Sequence, residues 1–166
     1  MPHPSPSEAA PSLIRRLGRA GGDPTFLIGT ALLLAVGAAF LWPTPGVPPG
    51  FHRDEASIAL NAWTLAGEGV DQDGRRLPLF FLSYGGYLSP VWPYALAGVF
   101  SIANPSPDLV RLAGGAAVLL GLLALGLLIW RRTRHRGAAV ATVVLGAATP
   151  WLYELGRTGL KMTVMP

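Results

Sequence analysis

Four apolar stretches alternate with polar, proline- and glycine-rich connections along this chain. The first runs from about Thr25 to Trp42, the second from Leu88 to Ala103, the third from Leu109 to Trp130 and the fourth from Gly137 to Thr149, ending at Pro150-Trp151. A helix needs about 20 apolar residues to cross the hydrocarbon of a bilayer. The third stretch meets that length without interruption, and the first is close to its lower limit. The second is short and carries Pro90 and Pro93, both in its first turns, where a missing N–H is least costly. Asp23-Pro24-Thr25 gives the first helix a start, with proline inside the first turn and an acid near the positive end of the dipole. Asp108 is a candidate N-cap for the third. Gly114, Gly115, Ala117, Gly121 and Gly126 give the third helix small-residue faces that allow close approach of neighbours. The pattern predicts an all-α, polytopic transmembrane bundle of about four spans.

Between the first two stretches lies a long polar and aromatic segment, 43–87, expected on one membrane face. It opens with Pro43–Gly50 (PTPGVPPG), which cannot be helical. Phe51–Gly69 (FHRDEASIALNAWTLAGEG) then has apolar residues at Ile58, Ala59, Ala62, Trp63 and Ala66. That spacing predicts a short juxtamembrane helix that ends at Gly67 or Gly69. Val70–Arg76 contains an Asp73-Gly74 turn, Leu77–Leu82 is apolar but too short to span, and Ser83–Tyr87 is a glycine-rich loop.

Composition supports a membrane location. The chain has 166 residues, 51% hydrophobic and 13% charged, against roughly 25% charged in soluble domains; mean hydropathy is +0.42. The net charge of +4 does not indicate nucleic acid, because arginine flanks the apolar stretches: Arg15, Arg16 and Arg19 before the first, and Arg131, Arg132, Arg134 and Arg136 after the third. Such flanks mark span ends and topology. Residues 1–24 are read as a disordered, basic cytoplasmic tail, and the first stretch as a retained anchor, since Leu41-Trp42-Pro43 lacks a small-residue cleavage pattern. The expected location is the cell membrane, multi-pass. With no cysteine, a disulfide framework is excluded. Four crossings would put the two arginine clusters on opposite sides. Either the first helix dominates orientation, the favoured solution, or the second segment is re-entrant.

The candidate chemistry gathers in the long loop. Asp54 and Glu55 open the juxtamembrane helix, near His52, Arg53, Trp63 and several tyrosines; such a carboxylate serves as a general base or as a ligand to a divalent metal. Acids at a helix start also simply complement the dipole. Asp71-Gln72-Asp73-Gly74 has the start of a calcium loop without its closing ligands, and fits an ordinary turn. Arg111 and Arg157 near helix ends suit either snorkelling or a lipid phosphate.

The segments DEASIALNAWTLAGEGVDQDGRRLPLFF, SYGGYLSPVWPYALAGVF, DLVRLAGGAAVLLG and ATPWLYELGR, in that order, resemble the N-terminal part of GT-C-fold membrane glycosyltransferases of the protein mannosyltransferase and aminoarabinose transferase type (glycosyltransferase family 39-like). The resemblance covers about Thr25–Arg157. It implies an enzyme that moves sugar from a polyprenyl-phosphate donor to a lipid, glycan or protein acceptor on the extracytoplasmic face. By the same resemblance Asp54 is the catalytic base or metal-associated carboxylate, with Glu55 beside it and Mg or Mn as the possible ion. Gly69, Asp71, Gly74, Pro78 and Leu79 match a loop motif of the family; Arg111 matches the arginine opening the third helix, and Pro150, Trp151 and Arg157 a later element. Arg111, Arg157, Tyr84 and Tyr87 are the expected substrate-binding residues. Two positions depart from the pattern: Leu88, where a lysine is common, and Lys161, where a glutamate is common. Such enzymes carry many more helices, so the chain is expected to be an N-terminal portion. The rival expectation is a non-catalytic multi-pass membrane protein acting as an assembly partner or remnant.

Overall fold

The computed structural model describes residues 24–42, 50–83 and 86–158. The basic tail with Arg15, Arg16 and Arg19, the connector 43–49, Tyr84 and Lys161 lie outside the described residues. The described residues are helical, with one short hairpin: α1 (Pro24–Leu41), α2 (Arg53–Glu68), β1 (Phe81–Ser83), β2 (Gly86–Leu88), α3 (Val91–Phe100), α4 (Pro107–Thr133), α5 (Arg136–Ala147) and α6 (Pro150–Thr158). The all-α class is as expected. The hairpin is an addition, pairing Phe81 with Leu88 and Ser83 with Gly86 in antiparallel register.

Two apolar cores divide the molecule. The first belongs to a helical bundle of α1, α4, α5 and α6, centred on Phe40, Val118, Leu122 and Val143. Close approaches define its directions. On α1, Gly29 lies against Val140 of α5, Gly37 against Leu119 of α4, and Phe40 against Gly115 and Gly156. On α4, Gly126 lies against Val143 and Ala139, and Leu122 against Gly146. So α4 runs antiparallel to α1 and to the α5–α6 pair, with its N-terminus beside the C-terminal ends of α1 and α6. The glycines of α4 are used as small-residue packing predicts: a Cβ on Gly115 would sit 2.6 Å from the Phe40 carbonyl oxygen, and one on Gly126 would sit 2.6 Å from Val143 Cγ2.

Among the described residues, one helix, Pro107–Thr133, is long and apolar enough to cross a membrane; the count is up to two if the bent pair Arg136–Ala147 and Pro150–Thr158, broken by 65°, forms one span. At 27 residues α4 is about 40 Å long at 1.5 Å per residue. It starts at Ser106, whose hydroxyl accepts the Leu109 N–H at 3.1 Å, with Pro107 in the first turn. Asp108, the expected cap, sits instead within that turn, because Ser106 precedes a proline that needs no N–H partner. The helix ends at Arg134 in the left-handed region (φ 57°), and His135 caps α5 by accepting the Ala138 N–H at 3.1 Å.

The second expected span is shorter than its apolar run. Only Val91–Phe100 is helical, 10 residues, or about 15 Å, half of the roughly 30 Å of hydrocarbon. Pro90 stands at its N-cap and Ser101 ends it. This α3 packs on α2 rather than joining the bundle. Together with the hairpin they enclose the second core: Ile58, Ala62 and Leu65 of α2, Phe81 and Leu88 of the hairpin, Trp92 and Leu96 of α3, and Val110 at the start of α4. The result is a cap seated at the α4 N-terminus. Arg131, Arg132, Arg134 and Arg136 lie at the opposite end of α4.

Replacing Gly115 by alanine should therefore force α1 and α4 apart, at about 1–3 kcal/mol for overpacking. The same change at Gly121, where a Cβ meets nothing within 4 Å, should be neutral or stabilising. Thermal unfolding of the two variants in one detergent checks this.

Candidate functional site

The acidic pair opening α2 is split by helix geometry into two different roles. His52 caps the helix, its Nδ1 accepting the Asp54 N–H at 3.3 Å. Glu55 reaches back so that its Oε2 accepts the His52 N–H at 2.8 Å, completing a reciprocal cap. Glu55 is 1% exposed and continues inward. The Arg111 guanidinium donates from Nη2 to Glu55 Oε2 at 3.3 Å and from Nε to Oε1 at 3.5 Å. Arg111 Nη2 also donates to the Gly50 carbonyl at 2.6 Å. Glu55 thus holds the start of α2 onto α4, and Arg111 ties Gly50, just before α2, to the same point. Asp54, one residue earlier, remains exposed, which leaves its carboxylate open to an incoming group.

Arg111 and Arg157 border the same cavity, although they come from different helices. The cavity, of about 270 Å³, is lined by Phe40, Leu41, Trp42, Asp108, Leu109, Arg111, Leu112 and Arg157. It opens at the bundle end where α1 and α6 finish and α4 begins. Arg157 is positioned by Tyr153, to whose hydroxyl it donates at 3.2 Å and over whose ring it lies at 5.3 Å; its Nη1 also reaches the Trp42 carbonyl at 3.4 Å. Tyr153 in turn meets Phe40 edge-on at 5.5 Å. The walls are mainly hydrocarbon, and the charged groups sit at one end of the bundle.

Tyr87 is exposed and packs edge-on against Phe80 at 6.4 Å, outside that cavity lining. Among the described residues, no three His, Cys, Asp or Glu side chains gather into a set able to hold a metal.

Asp71-Gly74 forms the expected turn. The Gly74 N–H donates to the Asp71 carbonyl at 3.0 Å, and Gly74 has φ 79°. Asp71 Oδ1 accepts the N–H groups of Asp73 and Arg75 at 3.0 and 2.8 Å. Its Oδ2 is buried and receives no hydrogen bond from the described residues. Asn61, unremarked in the sequence, is 0% exposed and bridges α2 to this turn: its amide donates to the Ser57 carbonyl at 2.9 Å and its Oδ1 accepts the Gln72 N–H at 3.0 Å. An asparagine set among Ile58, Ala59, Ala62 and Leu65 of the buried helix face was the available signal for it. Phe40 and Trp42 were also missed as cavity residues, because both read as ordinary features of a span end.

Compared with known proteins, the chain matches no family model, no curated protein and no solved structure.

Breaking a buried ion pair by removing one partner costs about 3–5 kcal/mol, so Glu55→Ala should strongly destabilise the protein. The double variant Glu55→Gln/Arg111→Met should lose less than the sum of the two single changes, since neither charge is then stranded. Unfolding of the three variants, followed by circular dichroism, measures that coupling.

Proposed function

We propose that this chain serves sugar transfer at a membrane surface, taking sugar from a polyprenyl-phosphate donor and passing it to a hydroxyl of a lipid, glycan or protein acceptor. The observation that carries the reading is an apolar cavity bordered by two arginines, one of which, Arg111, pairs with Glu55 at the acidic start of α2. Guanidinium groups suit phosphate oxygens through charge-assisted hydrogen bonds, and the hydrocarbon lining from Phe40, Leu41, Leu109 and Leu112 suits a prenyl chain. Asp54 is exposed, anchored through its neighbour Glu55, and free of the structural bonds that occupy Glu55.

In this reading Asp54 takes the proton of the acceptor hydroxyl as general base. The acceptor oxygen forms its bond to the anomeric carbon as the bond from that carbon to the donor phosphate oxygen breaks. The leaving polyprenyl phosphate carries the electron pair away, with Arg157 placed to stabilise its charge and Arg111 shared with Glu55. Tyr87 and Tyr84 remain candidates for contacts to the sugar or acceptor.

The membrane arrangement we propose has α1, α4 and the bent α5–α6 pair as passes, with α2, the hairpin and α3 together on the extracytoplasmic face. With α3 too short to cross, Arg131–Arg136 falls on the same side as the basic segment Arg15–Arg19, in accord with the positive-inside tendency. The conflict between the two clusters then disappears, and the favoured sequence-based solution gives way to the other.

Two measurements test the proposal. Asp54→Asn should lower transfer of radiolabelled sugar in membranes by about 10²–10⁴-fold, the usual worth of a general base, while leaving insertion and thermal stability unchanged; transfer at the wild-type rate would overturn the assignment. Because the chain has no cysteine, single cysteines report topology directly. Cysteines at Asp73 and Asn104 should react with an impermeant thiol reagent from one side, and a cysteine at Arg134 only from the other.

A further inference from the structure

The turn after α2 displays large apolar side chains that the fold could have buried. Leu77 is 65%, Leu79 75%, Phe80 60% and Tyr87 70% exposed. The two residues immediately before them, Arg75 and Arg76, are exposed as well. A loose loop would explain nothing, but this one is pinned. The Leu77 N–H donates to the Gly69 carbonyl at 3.0 Å, and the Asp71 N–H to the Arg75 carbonyl at 3.0 Å. Val70 and Arg76 form a β-bridge. Pro78, between the outward leucines, is buried, and its carbonyl accepts the Tyr94 hydroxyl at 3.3 Å. Leu77 itself has φ 42°, a left-handed conformation that a leucine adopts only when its surroundings impose it. Fixed backbone bonds thus hold a strained residue so that its side chain points away from the protein.

We propose that the segment Arg75–Phe80 is a surface anchor that inserts its apolar side chains into the membrane leaflet beside the bundle, while Arg75 and Arg76 contact headgroup phosphates. The inference rests on the reading that α4 crosses the bilayer, which puts a lipid surface at the level of the cap. Charge selects lipid over a second protein surface: a basic pair followed by leucine and phenylalanine matches the headgroup layer of either leaflet, where arginine meets lipid phosphate and aromatic rings settle at headgroup depth. The anchor would hold the cap at a fixed height above the membrane, and with it the start of α2.

The absence of native cysteine makes depth measurable in the full chain. Single cysteines replacing Leu79, Phe80 and, as a wet reference, Asp73 are labelled with an environment-sensitive fluorophore. The protein is then reconstituted in vesicles of phosphatidylcholine alone or with phosphatidylglycerol. The dyes at 79 and 80 should be blue-shifted, quenched severalfold more by lipid-borne nitroxide than the dye at 73, and shielded from iodide. Arg75→Glu/Arg76→Glu should reduce lipid quenching severalfold in the phosphatidylglycerol vesicles and leave it little changed in phosphatidylcholine. Equal iodide access at 73, 79 and 80 would overturn the anchor. So would shielding from iodide without lipid quenching, which would mean contact with a second copy or another protein. The thiol-reactivity topology at 73, 104 and 134 is scored on the same preparations. Opposite-side labelling with wet dyes at 79 and 80 rejects the anchor alone, whereas same-side labelling at 73 and 134 rejects the membrane-crossing reading beneath it.

Discussion

The buried ion pair between Glu55 and Arg111 holds together two parts that otherwise have separate cores. On one side stand α2, the hairpin and α3, organised around Ile58, Phe81 and Leu96; on the other stands the bundle, organised around Phe40 and Leu122. The pair joins them at the first turns of α4, where Val110 also enters the cap core. Desolvating both charges is costly, and their attraction offsets that cost only with additional hydrogen bonds. Those are present: Glu55 also accepts the His52 N–H, and Arg111 also donates to the Gly50 carbonyl. The same few bonds therefore cap α2, hold Gly50 before it and tie the cap to the bundle.

That arrangement separates two carboxylates which are neighbours in the chain. A residue at Glu55 lies three, four and seven positions before Ile58, Ala59 and Ala62, so it continues the buried stripe of α2. Asp54 is turned roughly 100° from it about the helix axis and stays outside. The periodicity needed for this distinction was visible in the sequence. What periodicity could not supply was the partner, because Arg111 lies on another helix and reads there as an ordinary span-end arginine. The convergence of Arg111 and Arg157 on one cavity was equally illegible, since it depends on α1 and α6 ending beside the start of α4.

For the fold, legibility followed the strength of local signals. The long α4 was readable from its uninterrupted apolar run, and α2 from its spacing, its acidic start and the glycine at its end; Gly69 does adopt the left-handed C-cap conformation, φ 70°. The apolar run Leu88–Ala103 misled because composition alone does not say where a helix begins. Leu88 belongs to a strand, Pro90 is the cap, and the helix stops at Phe100, well short of a crossing length. The hairpin escaped notice because strands of three residues are too short to show alternation. The length of this one segment also bears on the proposed topology, because a second helix too short to cross would leave the arginine cluster after α4 on the same side as the basic segment before α1.

Glu55 and Arg111 are 56 residues apart, and this distance has a consequence for how the protein is made. When the α2 segment leaves the ribosome, the first turns of α4 have not yet been synthesised, and Glu55 has no cation to follow it into a dry environment. Until α4 arrives its carboxylate belongs in water, so the α2 start cannot adopt its final buried setting against the bundle. The ion pair thus ties the start of the cap to a residue made 56 positions later, so burial of Glu55 in its final setting needs α4 in place.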